Sequence, residues 1–71
     1  MSTSLKQLGE EYEKSIQIQS QVIKKNREKL NLARKSYNFK EVKRLNSLLK
    51  LLYEEKWEME EKVVQIRKYY T

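Results

Sequence analysis

The side chains of this sequence that could do chemistry are carboxylates and amines, because the chain contains no histidine and no cysteine. It therefore has no imidazole base, no thiol nucleophile and no Cys/His metal site. Its one glycine cannot build a phosphate-cradling loop. Glu54, Glu58 and Glu61 recur about one helical turn apart, but at heptad positions that face water. We predict a protein that is not an enzyme and binds no cofactor or metal ion.

Lys56 is the amine that the sequence pattern places inside a helix interface, opposite Gln19. A buried lysine can act as a functional amine with a lowered pKa. Alternatively, its aliphatic stem packs in the interface while the ammonium reaches water beside Gln19 or toward Tyr12. Buried polar layers of that kind fix the register of paired helices. We predict that Gln19 and Lys56 form a polar core layer and not a catalytic site.

The elements that must position these residues are two helices joined at residues 36–39. The chain has no proline, so a break depends on polar turn residues. Asn38 followed by Glu41 fits a capping box at the start of the second helix, and Tyr37 and Val42 occupy the positions of a hydrophobic staple. A similar pattern of Ser4 and Gln7 predicts that the first helix starts near residue 4.

Apolar residues recur in alternating steps of three and four in both halves of the chain. The second half carries the series Val42, Leu45, Leu49, Leu52, Lys56, Met59, Val63 and Ile66. When the chain folds back at residues 37–38, the positions that face each other have numbers that add up to 75, as for Leu30 with Leu45. The sequence predicts an all-α fold. It is a single domain over residues 1–71, a two-helix antiparallel coiled-coil hairpin with helices at about 4–36 and 39–70.

Several large apolar residues lie outside this interface. Ile18, Val22, Leu48 and Leu51 cluster on one side of the rod, here called the apolar flank. Individually exposed apolar residues are ordinary, but a cluster on a thin rod requires a covering surface. A chain of this size is expected to gain most of its core by pairing. We predict a homodimer that forms a four-helix bundle through this flank.

A second stripe of apolar residues lies on the opposite flank of the second helix. Its members are Tyr53, Trp57 and Val64. Tyrosine and tryptophan are favoured anchors in protein interfaces. Tyr53 and Trp57 are therefore expected either at the edge of the dimer or in contact with a different partner.

Charge is concentrated at the turn of the hairpin. Residues 24–50, here called the basic turn end, hold ten basic residues against two acidic ones, a net charge of +8, and the rest of the chain carries −2. This charge could steer an antiparallel dimer, contact an acidic protein or lipid surface, or bind the phosphates of a nucleic acid. The possible nucleic-acid contacts are Lys24, Lys25, Arg27, Lys40, Lys43 and Arg44.

No apolar run is long enough to cross a membrane, and no secretory leader is visible. We expect a cytoplasmic helical hairpin that serves as an interaction or assembly module and associates with itself. The alternative is a small nucleic-acid-binding or regulatory accessory protein that acts through the basic turn end. Neither a membrane nor a small-molecule substrate is expected.

Overall fold

The computed structural model describes residues 4–70 and consists of two helices, α1 (Leu5–Lys35) and α2 (Phe39–Tyr70). They pack side by side in a rod that measures 51 × 20 × 14 Å. The predicted all-α helical hairpin is thereby confirmed, and its helix bounds agree with the sequence to within one residue. The predicted domain extends over residues 1–71, of which residues 1–3 and 71 lie outside the described part.

The first helix begins with the predicted capping box. The Ser4 hydroxyl accepts a hydrogen bond from the Gln7 N–H at 3.1 Å, and the Gln7 side chain accepts one from the Ser4 N–H at 3.3 Å. These two bonds satisfy backbone donors that a helix N-terminus leaves free. The predicted start near residue 4 is confirmed.

The turn between the helices is a Schellman motif with tyrosine where glycine is usual. The Asn38 N–H donates to the Ala33 carbonyl at 2.9 Å, and the Tyr37 N–H donates to the Arg34 carbonyl at 3.2 Å. Tyr37 accordingly has a φ of 55°, in the left-handed region. Its side chain is 77% exposed, so the predicted staple with Val42 is wrong: the ring stays in solvent at the end of the rod.

Asn38 ends the first helix and also caps the second. Its side-chain oxygen accepts a hydrogen bond from the Glu41 N–H at 3.3 Å, as the capping box predicts. The reciprocal bond is not made, because the Asn38 N–H is already donated to the Ala33 carbonyl and the Glu41 carboxylate binds Arg44. Half of the predicted capping box is therefore present.

The core follows the predicted helix interface. One continuous cluster of buried residues fills the half of the rod near the turn, with Val42 and Leu52 packed against it. Its buried members are Ile23, Leu30, Ala33, Leu45 and Leu49. Gly9, Val63 and Ile66 are buried nearer the open end.

Side-chain contacts between the two helices agree with the predicted register. The contacting pairs have residue numbers that add up to between 71 and 80, on both sides of the predicted 75. These pairs are Gln19 with Leu52, Gln19 with Glu55, Tyr12 with Lys62, Arg27 with Tyr53, and Glu13 with Arg67.

Candidate interaction surfaces

Gln19 and Lys56 are both half-buried in the helix interface, and each has its own partner. The Gln19 amide donates to the Leu52 carbonyl at 3.2 Å and to the Glu55 carboxylate at 3.1 Å. The Lys56 ammonium lies 3.6 Å from the Glu60 carboxylate. The two side chains thus occupy one level of the interface, where the Gln19 amide has hydrogen-bond acceptors and the Lys56 ammonium has an ion-pair partner. Such an arrangement can set helix register.

The acidic residues considered for chemistry face solvent. Glu54, Glu58 and Glu61 are all exposed on α2. Within residues 4–70, no group of three or more His, Cys, Asp or Glu side chains is placed to hold a metal ion. The open end instead uses a Glu13 carboxylate that binds Arg67 across the helices.

The apolar flank is largely open to solvent. Ile18 is 63% exposed and Leu51 is 57% exposed, while Val22 is 36% exposed and Leu48 is half-buried. Leu32 is as exposed as Ile18, and the helical period places it on the same side of α1, nearer the turn. The heptad position of Leu32 could have added it to the predicted cluster. The flank is thus a row of aliphatic side chains along the middle of the rod.

The second apolar stripe lies on the other flank. Tyr53 and Val64 are exposed, and Trp57 is 62% exposed. The Tyr53 hydroxyl accepts a hydrogen bond from the Arg27 guanidinium at 3.5 Å, so this tyrosine connects the two helices on that side. Tyr53 and Trp57 lie one helical turn apart on α2 and therefore face the same way.

Two adjoining grooves run between the helices on this same flank, with volumes of about 480 and 460 Å³. Arg27, Asn31 and Tyr53 line both, and together the two form what we call the basic groove. Five basic residues and one acidic residue contribute to its walls, giving a net charge of +4. The charged lining residues are Lys24, Arg27, Arg34, Lys50, Lys56 and Glu28, and Lys56 among them is already paired with Glu60.

Only some of the nucleic-acid contacts predicted from the sequence lie in the basic groove. Lys24 and Arg27 line the basic groove, whereas Lys25, Lys40 and Lys43 are exposed outside it. Sequence reasoning did not single out Arg34 and Lys50 as contacts, although the helical period places them on the flank of Tyr53. Their position around the helix, on the flank of Tyr53, could have predicted them as contacts, whereas their distance from the turn could not.

Arg44, the sixth predicted contact, is held by a carboxylate. Its guanidinium donates two hydrogen bonds to Glu41, one of them at 3.1 Å. The hydrogen bond from Arg44 lowers the pKa of Glu41, and the same bond raises the pKa of Arg44. Arg44 is therefore already paired within its own helix and is a poorer phosphate contact than the residues of the basic groove.

Comparison of the chain with protein families, with curated proteins and with solved structures finds no match. In the described residues, neither helix is long and apolar enough to cross a membrane.

Proposed function

We propose that this hairpin is a cytoplasmic, non-enzymatic assembly module that associates with a second copy through its apolar flank. The observation that carries the proposal is the row of exposed aliphatic side chains at Ile18, Val22 and Leu51. Contiguous apolar surface of this kind marks a contact site in a small protein. Two hairpins that pack on this face would make a four-helix bundle.

The size of the chain supports a second copy as the occupant. The hairpin has a single row of buried residues between two helices, and a chain this short buries too little surface for high stability by itself. The exposed aliphatic row runs beside that core and would extend it laterally. Identical surfaces related by a two-fold axis make the common dimer interface.

Charge supports an antiparallel orientation of the two copies. The basic turn end carries +8 and the rest of the chain carries −2, so the two ends of the rod have opposite charge. The apolar flank lies near the middle, and antiparallel packing across it would set each basic end beside an acidic one. Such complementarity selects orientation and speeds association. A parallel dimer would place the two basic ends together.

The proposal is tested by light scattering at micromolar concentration, with a variant that carries Ile18→Glu and Leu51→Glu. We expect the mass of a dimer for the original chain and the mass of a monomer for the variant, because two charges from each copy would be buried unpaired in the interface. The matched control is Gln21→Glu with Ser47→Glu, which adds the same charge at exposed positions outside the flank. The control should remain a dimer.

If the original chain is a monomer that unfolds cooperatively, the proposal is contradicted. Dissociation of the control as well as the flank variant would attribute the effect to net charge and would also contradict it. Circular dichroism of each variant shows whether the helices are retained, so loss of the fold is separated from loss of the dimer.

A second candidate function is nucleic-acid binding by the basic turn end, as a small accessory protein. The basic groove favours it, because a net charge of +4 lies in one open channel between the helices. Lysine and arginine gain affinity for phosphates by releasing bound counterions. Retention on an immobilised nucleic acid at low salt, lost at moderate salt, tests this candidate. An acidic protein surface is the alternative partner for the basic turn end.

A further inference from the structure

We propose that the basic groove is a binding site for single-stranded nucleic acid. Its lysines and arginines contact phosphates, and bases stack on the exposed aromatic side chains of the same flank. This mode of binding rests on the second candidate function and is independent of self-association. The proposed site lies along one side of the rod and not at its turn end.

Two facing stripes of residues form the site. The stripe on α1 has steps of three, four and three residues, and the stripe on α2 has steps of four, three and four, so each stays on one helical face. The first stripe is Lys24, Arg27, Asn31 and Arg34, and the second is Asn46, Lys50, Tyr53 and Trp57. All of these residues except Trp57 line the groove, and Trp57 follows Tyr53 by one turn.

The charges of the groove fit a linear polyanion. Lys24 and Arg34 are ten residues apart, about 15 Å along α1, with Arg27 between them. Lys50 approaches from α2 on the opposite wall. The acidic Glu28 lines only one of the two adjoining grooves. Phosphates spaced along a flexible strand could therefore contact basic groups on both walls.

The uncharged polar residues of the groove fit the same ligand. Asn31 and Asn46 bring amide donors and acceptors from both helices. The Ser20 hydroxyl, which donates to the Ile16 carbonyl at 2.9 Å, adds only an acceptor. Side chains of these types bond to sugars and phosphates as well as to base edges. An apolar helix from a protein partner would leave them without water or a hydrogen-bond partner. The lining therefore favours a polar ligand.

Exposed aromatic side chains distinguish a nucleic acid from other polyanions. Trp57 is 62% exposed and Tyr53 is exposed beside it, with the Tyr53 hydroxyl bound by Arg27. Stacking on such rings is the main sequence-tolerant interaction of single-strand binders. An acidic peptide has no bases to stack on them. The combination of rings and cations on one flank therefore favours a nucleic acid over an acidic peptide.

The dimensions of the rod favour a single strand over a duplex. The rod is 20 Å across its wider section, whereas the major groove of B-DNA is about 12 Å wide and admits one helix. The pair of helices therefore does not fit into that groove. Bases in a duplex are also stacked on one another and do not expose their faces to Trp57.

The two flanks of the hairpin can act at the same time. The apolar flank and the basic groove lie on opposite sides, so a dimer through the former leaves a groove open on each copy. Two grooves on one particle would raise the avidity for a long strand. Binding by the Ile18→Glu, Leu51→Glu variant to a short oligonucleotide is expected to be retained, which keeps the two proposals separable.

The test is fluorescence anisotropy of a labelled oligothymidylate of about 15 nucleotides, within the range of site sizes known for single-strand binders. Trp57 is the only tryptophan, so its own emission reports stacking in a second titration with unlabelled oligonucleotide. We expect binding at low salt with quenching of Trp57. A blunt duplex of equal length should bind at least tenfold more weakly.

A matched pair of variants locates the site. Lys24→Gln with Lys50→Gln removes two charges from the groove, and Lys25→Gln with Lys40→Gln removes two from exposed positions outside it. Each variant changes one lysine on each helix. The groove variant should bind at least tenfold more weakly and reduce the salt slope by about 1.4, the loss of two single-strand phosphate contacts. The control should lose less than threefold.

Trp57→Leu tests the stacking step, and we expect about tenfold weaker binding with an unchanged salt slope. Equal losses in the two lysine variants would overturn the site while leaving nucleic-acid binding by the basic turn end intact. Equal affinity for duplex and single strand, displacement by polyglutamate at the same charge concentration, or unquenched Trp57 would overturn the ligand class. Absence of binding at low salt would reject the second candidate function altogether.

Discussion

The half of the rod near the turn, about residues 20–52, and the open half beyond it are built differently. The turn half contains the continuous cluster around Leu45, which is fully buried. The open half has Gly9 in its helix interface and begins at the polar level of Gln19 and Lys56. The same two helices therefore enclose a continuous apolar core over one half of their length and an interrupted one over the other.

Surface contacts connect the helices at the open half. Glu13 binds Arg67, and the Lys62 ammonium lies 5.7 Å from the centre of the Tyr12 ring. Exposed ion pairs and cation–π contacts are worth up to about 1 kcal/mol each, less than the burial of one large aliphatic side chain. The open half should therefore open locally before the turn half.

The two proposed recognition surfaces lie mostly on the better packed half. Val22, Leu48 and Leu51 flank the cluster on one side, and Arg27 and Lys50 flank it on the other. A surface held by a rigid core loses less conformational entropy when it binds. A loosely packed turn half would therefore weaken binding at both surfaces together.

The largest expected effect separates the two halves directly. Leu45→Ala should lower the free energy of unfolding by about 3–5 kcal/mol, because it leaves a cavity in the continuous cluster. Val63→Ala removes less volume from the interrupted interface and should cost about 1–2 kcal/mol. Urea unfolding followed by circular dichroism measures both, at one fixed protein concentration because dimerisation would make stability depend on it.

Native-state hydrogen exchange tests the same comparison without mutation. Amides near Leu45 should exchange only through global unfolding, and those near Tyr12 and Ile66 through local opening. Equal protection in both halves would show that the hairpin unfolds as one unit. Equal losses from the two alanine substitutions would show that the open half is packed as well as the turn half.

The sequence predicted the helices, their ends and their register, because these depend on local spacing. The capping pattern of Ser4 and the heptad steps act over three or four residues, and the structure follows them. The geometry of the turn was beyond such reasoning, since tyrosine disfavours the left-handed conformation that Tyr37 adopts. A Schellman motif requires that conformation whichever residue occupies the position.

The side-chain partners and the basic groove were harder to predict for a different reason. Gln19 and Lys56 were expected to share a layer, and nearby Glu55 and Glu60 provide closer polar partners for each. The groove depends on which residues of two helices lie side by side, and linear charge counting along the chain hides that. When the charges are counted separately for each flank of the paired helices, Lys24 falls in the basic groove and Lys25 falls outside it.

Replacement of the polar level should reduce the difference between the halves. Lys56→Leu adds an apolar side chain at a half-buried position and is expected to raise the free energy of unfolding by about 1 kcal/mol. It should also increase protection of the open half in hydrogen exchange. The price would be a less defined register, since a polar layer restricts how helices align.

A matched substitution separates burial from charge in this experiment. Lys56→Gln removes the same charge and the ion pair with Glu60 without adding an apolar side chain. It should leave stability within about 0.5 kcal/mol of the original, because an ion pair that solvent still reaches contributes little. Equal stabilisation by leucine and glutamine would attribute the effect to charge and not to the interrupted core.

The smallest expected effect lies at the turn, where the well-packed half carries its own backbone strain. Tyr37 has a φ of 55° and an exposed ring, so Tyr37→Gly removes a left-handed cost of about 1–2 kcal/mol. Part of that gain is offset by the greater freedom of glycine in the unfolded chain, which leaves about 0.5 kcal/mol of added stability.

Tyr37→Ala is the control, because it removes the ring and keeps the left-handed cost. Glycine should therefore be more stable than alanine in thermal unfolding, with the gain confined to amides of the turn half. If the alanine variant is as stable as the glycine variant, the ring and not the backbone limits stability at this position. The left-handed conformation of residue 37 would then carry no strain that glycine relieves.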